Sequence, residues 1–401
     1  MKKGTRSVWP VRYVRLLIVS LILCACGLLS PAKSEYTYHI PEQTDDGWQT
    51  TSLQHVGMDP EKIVALMNDL AEYPDHWVHA VVVVKDGKLV FEEYFPGKDL
   101  DLSNLGNGIA YSTRQFNRDS RHSAASVSKS IASILVGIAI DEGLIQGTDE
   151  TMFSFFPDYG NLSDAIKNQI TLQHMLSMTS GLPWSKAYSY DDPRNDLVAM
   201  LNSDDPIGYV LEKSTVAAPG TTFIYNSGTA NLLGEIVRRT SGMTLADFAE
   251  QRLFTPLGID SYEWYAFPKA PEMAVASSTL YLRPRDMAKI GQMVLNGGVW
   301  NGTRVVSEAW VSQSTRESVS MEAATSPVPS LNPRYGYLWW LGTFSQGNTE
   351  TSFAAGWGGQ FIFIIPQSEM VVVITAGGFE GQSYDALLQI VNRYLLPAAG
   401  L

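Results

Sequence analysis

Hydrophobic and polar positions are patterned differently at the two ends of the chain and in its middle. A valine-rich run at 80–84 is followed by Asp86-Gly87, and a second apolar run occupies 89–95. An Asp-Gly pair between two such runs predicts a hairpin. Runs at 361–365 and 370–374 predict another hairpin, turning through 366–369. Both of these runs are apolar at every position, so both faces of their sheet should be covered by helices. From about 125 to 255 helical spacing dominates. A strongly apolar helix is predicted at 125–140, ending in Asp141-Glu142-Gly143. A short one at 171–178 is closed by Thr179-Ser180-Gly181, and another at 230–240 ends in Ser241-Gly242. Residues 381–396 read as a closing helix. Strands at both ends with helices between them predict an α/β fold of the α+β type. One antiparallel sheet is built from both chain ends and flanked by helices, and a mainly helical lobe covers about 130–270, with a cleft at the junction.

The first residues stand apart from this pattern. Lys2, Lys3, Arg6, Arg12 and Arg15 precede a 14-residue apolar run, 16–29, with no acid before it. A cationic start and an apolar core of this length predict an export signal over 1–34, and the run is short for a spanning helix. Two cuts fit. Ala32-Lys33-Ser34 offers small residues to an ordinary signal peptidase, while Leu23-Cys24-Ala25-Cys26 loosely resembles a lipobox with Cys26 as the acylated residue. The protein is therefore expected outside the cytoplasm, periplasmic or anchored as a lipoprotein. Its membrane contact would be limited to that lipid or signal. Residues 35–78 read as an N-terminal extension and 79–396 as the principal domain.

Composition narrows the function classes. The chain has 401 residues, 45% hydrophobic and 17% charged, so it can bury a large core and is not globally disordered. Its two cysteines, both in the leader, exclude a disulfide framework. The formal charge is −12, and removing 1–34 takes away six cations and no acid, giving −18. So acidic a surface is a poor partner for nucleic acid.

The chemistry begins at Ser126-Val127-Ser128-Lys129, which opens the apolar helix. Positions i and i+3 share a helix face, so the Ser126 hydroxyl and the Lys129 amine can touch. Serine needs an adjacent base. Desolvation and the positive end of the helix dipole both disfavour an ammonium there, which lets Lys129 serve as that base. The spacing alone is weak, for Ser30-Pro31-Ala32-Lys33 repeats it in the leader. Tyr225, in Tyr225-Asn226-Ser227-Gly228, precedes another helix, and a phenol near the lysine can relay a proton. Tyr159-Gly160-Asn161 is a rival in a loop. Gly356-Trp357-Gly358-Gly359-Gln360 leads into the C-terminal hairpin, where a backbone N–H could join that of Ser126 as an oxyanion hole.

In this order the three segments resemble the penicillin-recognising serine hydrolases, over roughly 78–396. Flanking phrases such as Thr179-Ser180-Gly181-Leu182, Leu232-Leu233-Gly234 and Pro256-Leu257-Gly258 belong to the resemblance. Within that superfamily Val127-Ser128-Lys129-Ser130, Ala139-Ile140-Asp141-Glu142-Gly143 and Tyr335-Gly336-Tyr337-Leu338-Trp339-Trp340 are similar to the branch of β-lactamase-fold esterases and 6-aminohexanoate-oligomer hydrolases. The resemblance implies Ser126 as acylated nucleophile, Lys129 as base and Tyr225 as proton relay. It places the oxyanion between the N–H groups of Ser126 and Gln360, and implies no cofactor and no metal. Ser227, Trp357, Gly358, Gly359 and Tyr188 are the expected substrate contacts. Two departures stand out. Ser227 replaces the usual Asn of the tyrosine motif. Trp357-Gly358-Gly359 replaces a Lys or His followed by Thr-Gly, so the cation that grips a substrate carboxylate is missing from that motif. The indole points to esters or neutral amides.

Other chemistries lack their residues. There is no Gly-x-Ser-x-Gly, no His-Glu-x-x-His and no P-loop. His122, four residues before Ser126, is a lesser triad candidate, and His174 reads as a packing or capping residue. Trp184, Tyr188, Tyr190, Trp339, Trp340 and Trp357 are core aromatics or walls of an apolar pocket. Asp191 and Asp192 could meet a substrate amine or form a solvated turn. The expected function is an exported serine hydrolase that cleaves a small-molecule carboxylic ester or linear amide. A β-lactamase or D-alanyl-D-alanine carboxypeptidase, and a non-catalytic envelope binding protein, stand as alternatives.

Overall fold

The computed structural model describes residues 36–73, 76–102, 110–190, 192–322 and 326–401. The leader, with Cys24 and Cys26, lies outside the described residues, as does Asp191. Among the described residues no helix is long and apolar enough to cross a membrane.

Seven antiparallel strands form the principal sheet: β1 (Val78–Lys85), β2 (Lys88–Tyr94), β3 (Arg334–Tyr335), β4 (Trp340–Phe344), β5 (Thr349–Gly356), β6 (Gln360–Ile365) and β7 (Met370–Ala376). Their spatial order is β3-β4-β5-β6-β7-β1-β2. The chain ends meet where β1 pairs β7, with Val81 opposite Ile374 and Val83 opposite Val372. Both expected hairpins form. Asp86 and Gly87 both take positive φ, 52° and 72°. That is the mirror-image turn whose twist matches the strands it joins.

The apolar strands are covered on both faces, as their unbroken hydrophobicity requires. Helix α4 (Pro284–Leu295; α1 to α3 are described below) lies on one face. A Cβ on its Gly291 would come within 2.6 Å of Val371 Cγ1 and 2.8 Å of Ile362 Cγ2, so glycine permits the close approach. On the other face Phe361 stacks on Phe363 and meets Tyr384 edge-on. Tyr384 precedes the helical C-terminal segment, which starts at Asp385 rather than at 381, because Gly381 takes a left-handed φ of 85°. Helix α2 (Val127–Asp141) is buried along nearly its whole length, against β5 and against α3 (Ser227–Ser241). Gly242, with φ 71°, ends α3. The middle of the chain is thus helical, as its spacing predicted.

Residues 37–73 dock onto this body. Arg285 of α4 is almost fully buried. It holds Glu92 of β2 in a fork at 2.7 and 2.5 Å, and donates to Asp46 at 2.8 Å and to the Glu42 carbonyl at 3.0 Å. Helix α1 (Pro60–Glu72) is capped by Asp59 and tied to the C-terminal segment through Asp69 and Tyr394. Removing one member of a buried ion network strands the others. Arg285→Met should therefore lower unfolding stability in urea by about 3 kcal/mol, with no change in the active-site distances.

Candidate active site

The nucleophile candidate sits where a strand end meets a helix start. The Ala124 N–H donates to the Leu280 carbonyl at 2.8 Å, which anchors the chain before α2. Ala125 has a left-handed φ of 44°. For a residue with a Cβ that conformation costs about 1–3 kcal/mol, and it turns the chain sharply into α2. Ser126 follows, half-buried, at the N-cap of α2. Gly356, at the end of β5, lies against this corner. A Cβ there would come within 2.5 Å of the Ala124 carbonyl oxygen. The next N–H, that of Trp357, and the N–H of Ser126 have no hydrogen-bond partner among the described residues, and both residues line the same cavity.

Lys129 is one turn further into α2 and 1% exposed. Its Nζ lies 3.1 Å from Ser126 Oγ and donates to the Ser277 carbonyl at 2.8 Å. Among the described residues no carboxylate pairs with it. Lys289 makes the contrast: it is equally buried, but Asp286 pairs it at 3.0 Å. Burial, reinforced by the positive charge of Lys186, pushes the Lys129 amine well below the ordinary lysine range. A neutral amine keeps one N–H on Ser277 and turns its lone pair to the Ser126 hydroxyl. Ser277 is itself held, its N–H donating to Asn231 Oδ1 at 2.9 Å. Asn231 is a polar residue in a buried stretch of α3, a signal that could have singled it out in the sequence.

Tyr225 immediately precedes α3. Asn226 caps that helix and donates to the Leu182 carbonyl at 3.1 Å, which joins the tyrosine corner to the Thr179-Ser180-Gly181-Leu182 turn. The Tyr225 ring stacks on Trp340, its centroid 5.7 Å away. Its hydroxyl is hydrogen-bonded with Ser126, and burial raises its pKa, so it stays a protonated phenol. Lys186 Nζ stands 4.2 Å from the centroid of the same ring and Lys129 Nζ 4.9 Å. Lys186 is exposed as a residue but also lines the cavity, and desolvation lowers its pKa to about 8. Nothing in the loop sequence marked this lysine.

The cavity has a volume of about 360 Å³, in the range of a small-ligand pocket. Ser126, Tyr225, Ser227, Trp340 and Trp357 border it, and Leu100, Leu102, Leu197, Val198 and Leu201 make it apolar. Other expected contacts lie elsewhere. Gln360 opens β6 opposite Gly356, fully buried, and its side chain bridges to the Ala376 backbone at 2.7 and 3.1 Å. The free N–H at the cavity is that of Trp357, three residues earlier. Gly358 donates to the Tyr384 hydroxyl at 3.0 Å and Gly359 to the Gly356 carbonyl at 3.1 Å, so both shape the turn and neither faces the cavity. Tyr188 is turned outward, its carbonyl held by Asn195 and its ring covered by Arg194 at 4.1 Å. Tyr190 lines the cavity in its place and meets Trp357 at 4.6 Å.

The remaining candidates do not reach it either. His122 is bonded to His79 at 2.8 Å and to the Ser123 carbonyl at 2.9 Å. His174 forms a capping box with Thr171. The Tyr159 hydroxyl donates to Asp205. Asp192 is paired with Arg194 in a surface turn. Trp339 is buried away from the cavity. Among the described residues no group of His, Cys, Asp and Glu is arranged to hold a metal.

With this geometry the chain can be set beside known proteins. The model of the Beta-lactamase family matches residues 74–393. The 6-aminohexanoate-dimer hydrolase of Paenarthrobacter ureafaciens is 27% identical over 64% of this chain, and the match spans 66% of that relative's length, just under two thirds. An octameric penicillin-binding protein homologue from Pyrococcus abyssi superposes with a TM-score of 0.61 at 18% identity, over 84% of this chain and 77% of that one. A family VIII carboxylesterase does so with 0.62 at 17% identity, over 85% and 96%. At such identities the likeness is one of fold. A family match over most of the chain, around a cavity serine that a lysine and a tyrosine both meet, makes this protein a member of the Beta-lactamase family of serine hydrolases.

Proposed function

We propose that the protein hydrolyses a carboxylic ester or linear amide with an apolar acyl group, through an acyl-enzyme on Ser126. One observation carries the reading: a fully buried lysine that touches the serine and, among the described residues, has no anion beside it. An unpaired buried ammonium is costly enough that the amine gives up its proton instead. Neutral Lys129 takes the Ser126 proton as Oγ attacks the substrate carbonyl. The oxyanion then forms against the N–H groups of Ser126 and Trp357. Tyr225 gives its proton to the departing alcohol or amine and recovers it from Lys129. Water attacks the acyl-enzyme with the same residues in reverse, which frees the acid and restores Ser126. The apolar wall from Leu100 to Leu201 suits a hydrocarbon acyl chain. The amidase and esterase named among the similar proteins support this class of reaction. The cationic and apolar leader supports an exported location.

On p-nitrophenyl butyrate, Ser126→Ala and Lys129→Ala should each lose at least about a thousandfold in kcat/KM. Intact-mass spectrometry of the quenched wild type should show a butyryl adduct on the Ser126 peptide. Unchanged turnover in Ser126→Ala would remove this reading. Nitrocefin belongs in the same assay, because its turnover would assign the protein to antibiotic hydrolysis instead.

The pH profile follows from the two shifts. A base is active above its pKa, and that of Lys129 is lowered well below 10.5. Tyr225 is raised above 10.0 and remains an acid. For neutral esters kcat/KM should therefore level off well below pH 10.5 instead of rising up to it. A lysine of ordinary pKa would make it rise about tenfold per unit.

Asn231→Leu should lower kcat about ten- to a hundredfold with little change in KM, since an orphaned Ser277 N–H costs about 1–3 kcal/mol and loosens the carbonyl that orients Lys129. An equal rise in KM would show that the change reached the pocket instead.

A further inference from the structure

The cavity wall is mostly apolar, and none of its described lining residues is a carboxylate. Two lysine side chains approach it. Lys129 is engaged by Ser126 and Ser277. Lys186 has neither a hydrogen bond nor an ion pair among the described residues. It stands over the face of Tyr225, 4.2 Å from the ring centroid. Other cations of this segment are partnered: Arg194 by Asp192 and Lys213 by Asp196. Lys186 thus lines an apolar cavity with no anion paired to it among the described residues, and a carboxylate bound in that cavity would meet it there. Its position says which end of the substrate it meets. Tyr225 supplies the leaving group's proton in the reading above, so an ammonium beside that ring stands on the leaving-group side of the scissile bond. The leucine and valine wall is left for the acyl chain.

We propose that Lys186 is the specificity-determining residue of the leaving-group subsite, and that it selects esters or amides whose leaving group carries a carboxylate. The inference rests on the acyl-enzyme reading and extends it to a substrate class. An apolar acid would be joined to a hydroxy acid or amino acid, and hydrolysis releases both. The third motif, where Trp357 stands, contributes no cation, and Lys186 brings one from the loop that follows the Ser180-Gly181 turn. The anion it accepts therefore lies on a different wall of the cleft from the β5 edge. The charge of Lys186 also bears on the base. While the ammonium is unpaired it disfavours protonation of Lys129, and a bound carboxylate would soften that effect.

The test compares butyryl esters of 3- and 4-hydroxybenzoate with those of the matching hydroxybenzamides, whose leaving groups are similar in size but neutral. Product release is followed by chromatography at pH 7. The full chain without its leader should prefer the carboxylate esters about tenfold in kcat/KM. Lys186→Met should bring the ratio to one or below, Lys186→Arg should retain the preference, and Lys186→Glu should reverse it. A wild-type ratio of one or less overturns the proposal, as does a ratio that Lys186→Met leaves unchanged. Equal loss on both esters in Lys186→Met would show that the residue acts only through Lys129, and also overturns it. Failure of the acyl-enzyme reading gives a different result: neither ester is cleaved, or Ser126→Ala cleaves both as well as the wild type.

Discussion

Burial of Lys129 without an anion is the constraint from which the rest of the site follows. A charged lysine in that position would face a desolvation penalty with nothing to offset it. The surroundings instead favour the amine. The Ser277 carbonyl takes one of its hydrogens and Ser126 offers it a proton. Lys289 shows that this fold also stabilises a buried lysine in the usual way, with a carboxylate one turn away. Two lysines of equal burial thus differ in their partners: among the described residues one has a carboxylate within reach and the other does not. The difference separates a structural ion pair from a base.

Keeping that amine in place requires several elements that are remote in sequence. Ser277 is 148 residues from Lys129 and is itself fixed by Asn231. The left-handed Ala125 turns the chain into α2, and Gly356 lets the end of β5 close against the turn. Tyr225 is set by the α3 cap, by Trp340 and by the Leu182 carbonyl. The Gly356 and Trp340 contacts join the sheet to the helical lobe, and the others tie the helical segments to one another and to the Ser277 loop. The catalytic geometry is therefore a property of the junction between the two layers. The strain at Ala125 is held by the packing of β5 and of Leu280 around it.

The same junction explains why the pocket has its polarity. Helical segments from the lobe contribute Leu197, Val198 and Leu201, and the small strand Gly97–Asp101 with its continuation contributes Leu100 and Leu102. The turn of Trp357 closes the remaining side, braced beneath by Gln360 and the Tyr384 hydroxyl. The polar part of the lining includes the row Ser126, Tyr225, Ser227 and Lys186, along which a single scissile bond would lie.

Local chemistry was legible in the sequence. The valine runs with Asp86-Gly87 between them specify a hairpin, because two-residue turns of that type match strand twist. Strands apolar at every position require cover on both faces. Ser126 and Lys129 must meet, because i and i+3 share a helix face wherever the helix packs. Such relations span one turn or one hairpin and need no knowledge of the rest of the chain. Tertiary structure alone decided the others. It put the N–H of Trp357 rather than Gln360 at the cavity, because Gln360 enters the β6 ladder. It turned Tyr188 out and Tyr190 in, through the Asn195 and Arg194 contacts of their loop. It brought Lys186 to Tyr225 and Asn231 to the support of the base. These pairs lie far apart along the chain, and the packing of the lobe against the sheet, not any spacing within a segment, determines which of their side chains face one another.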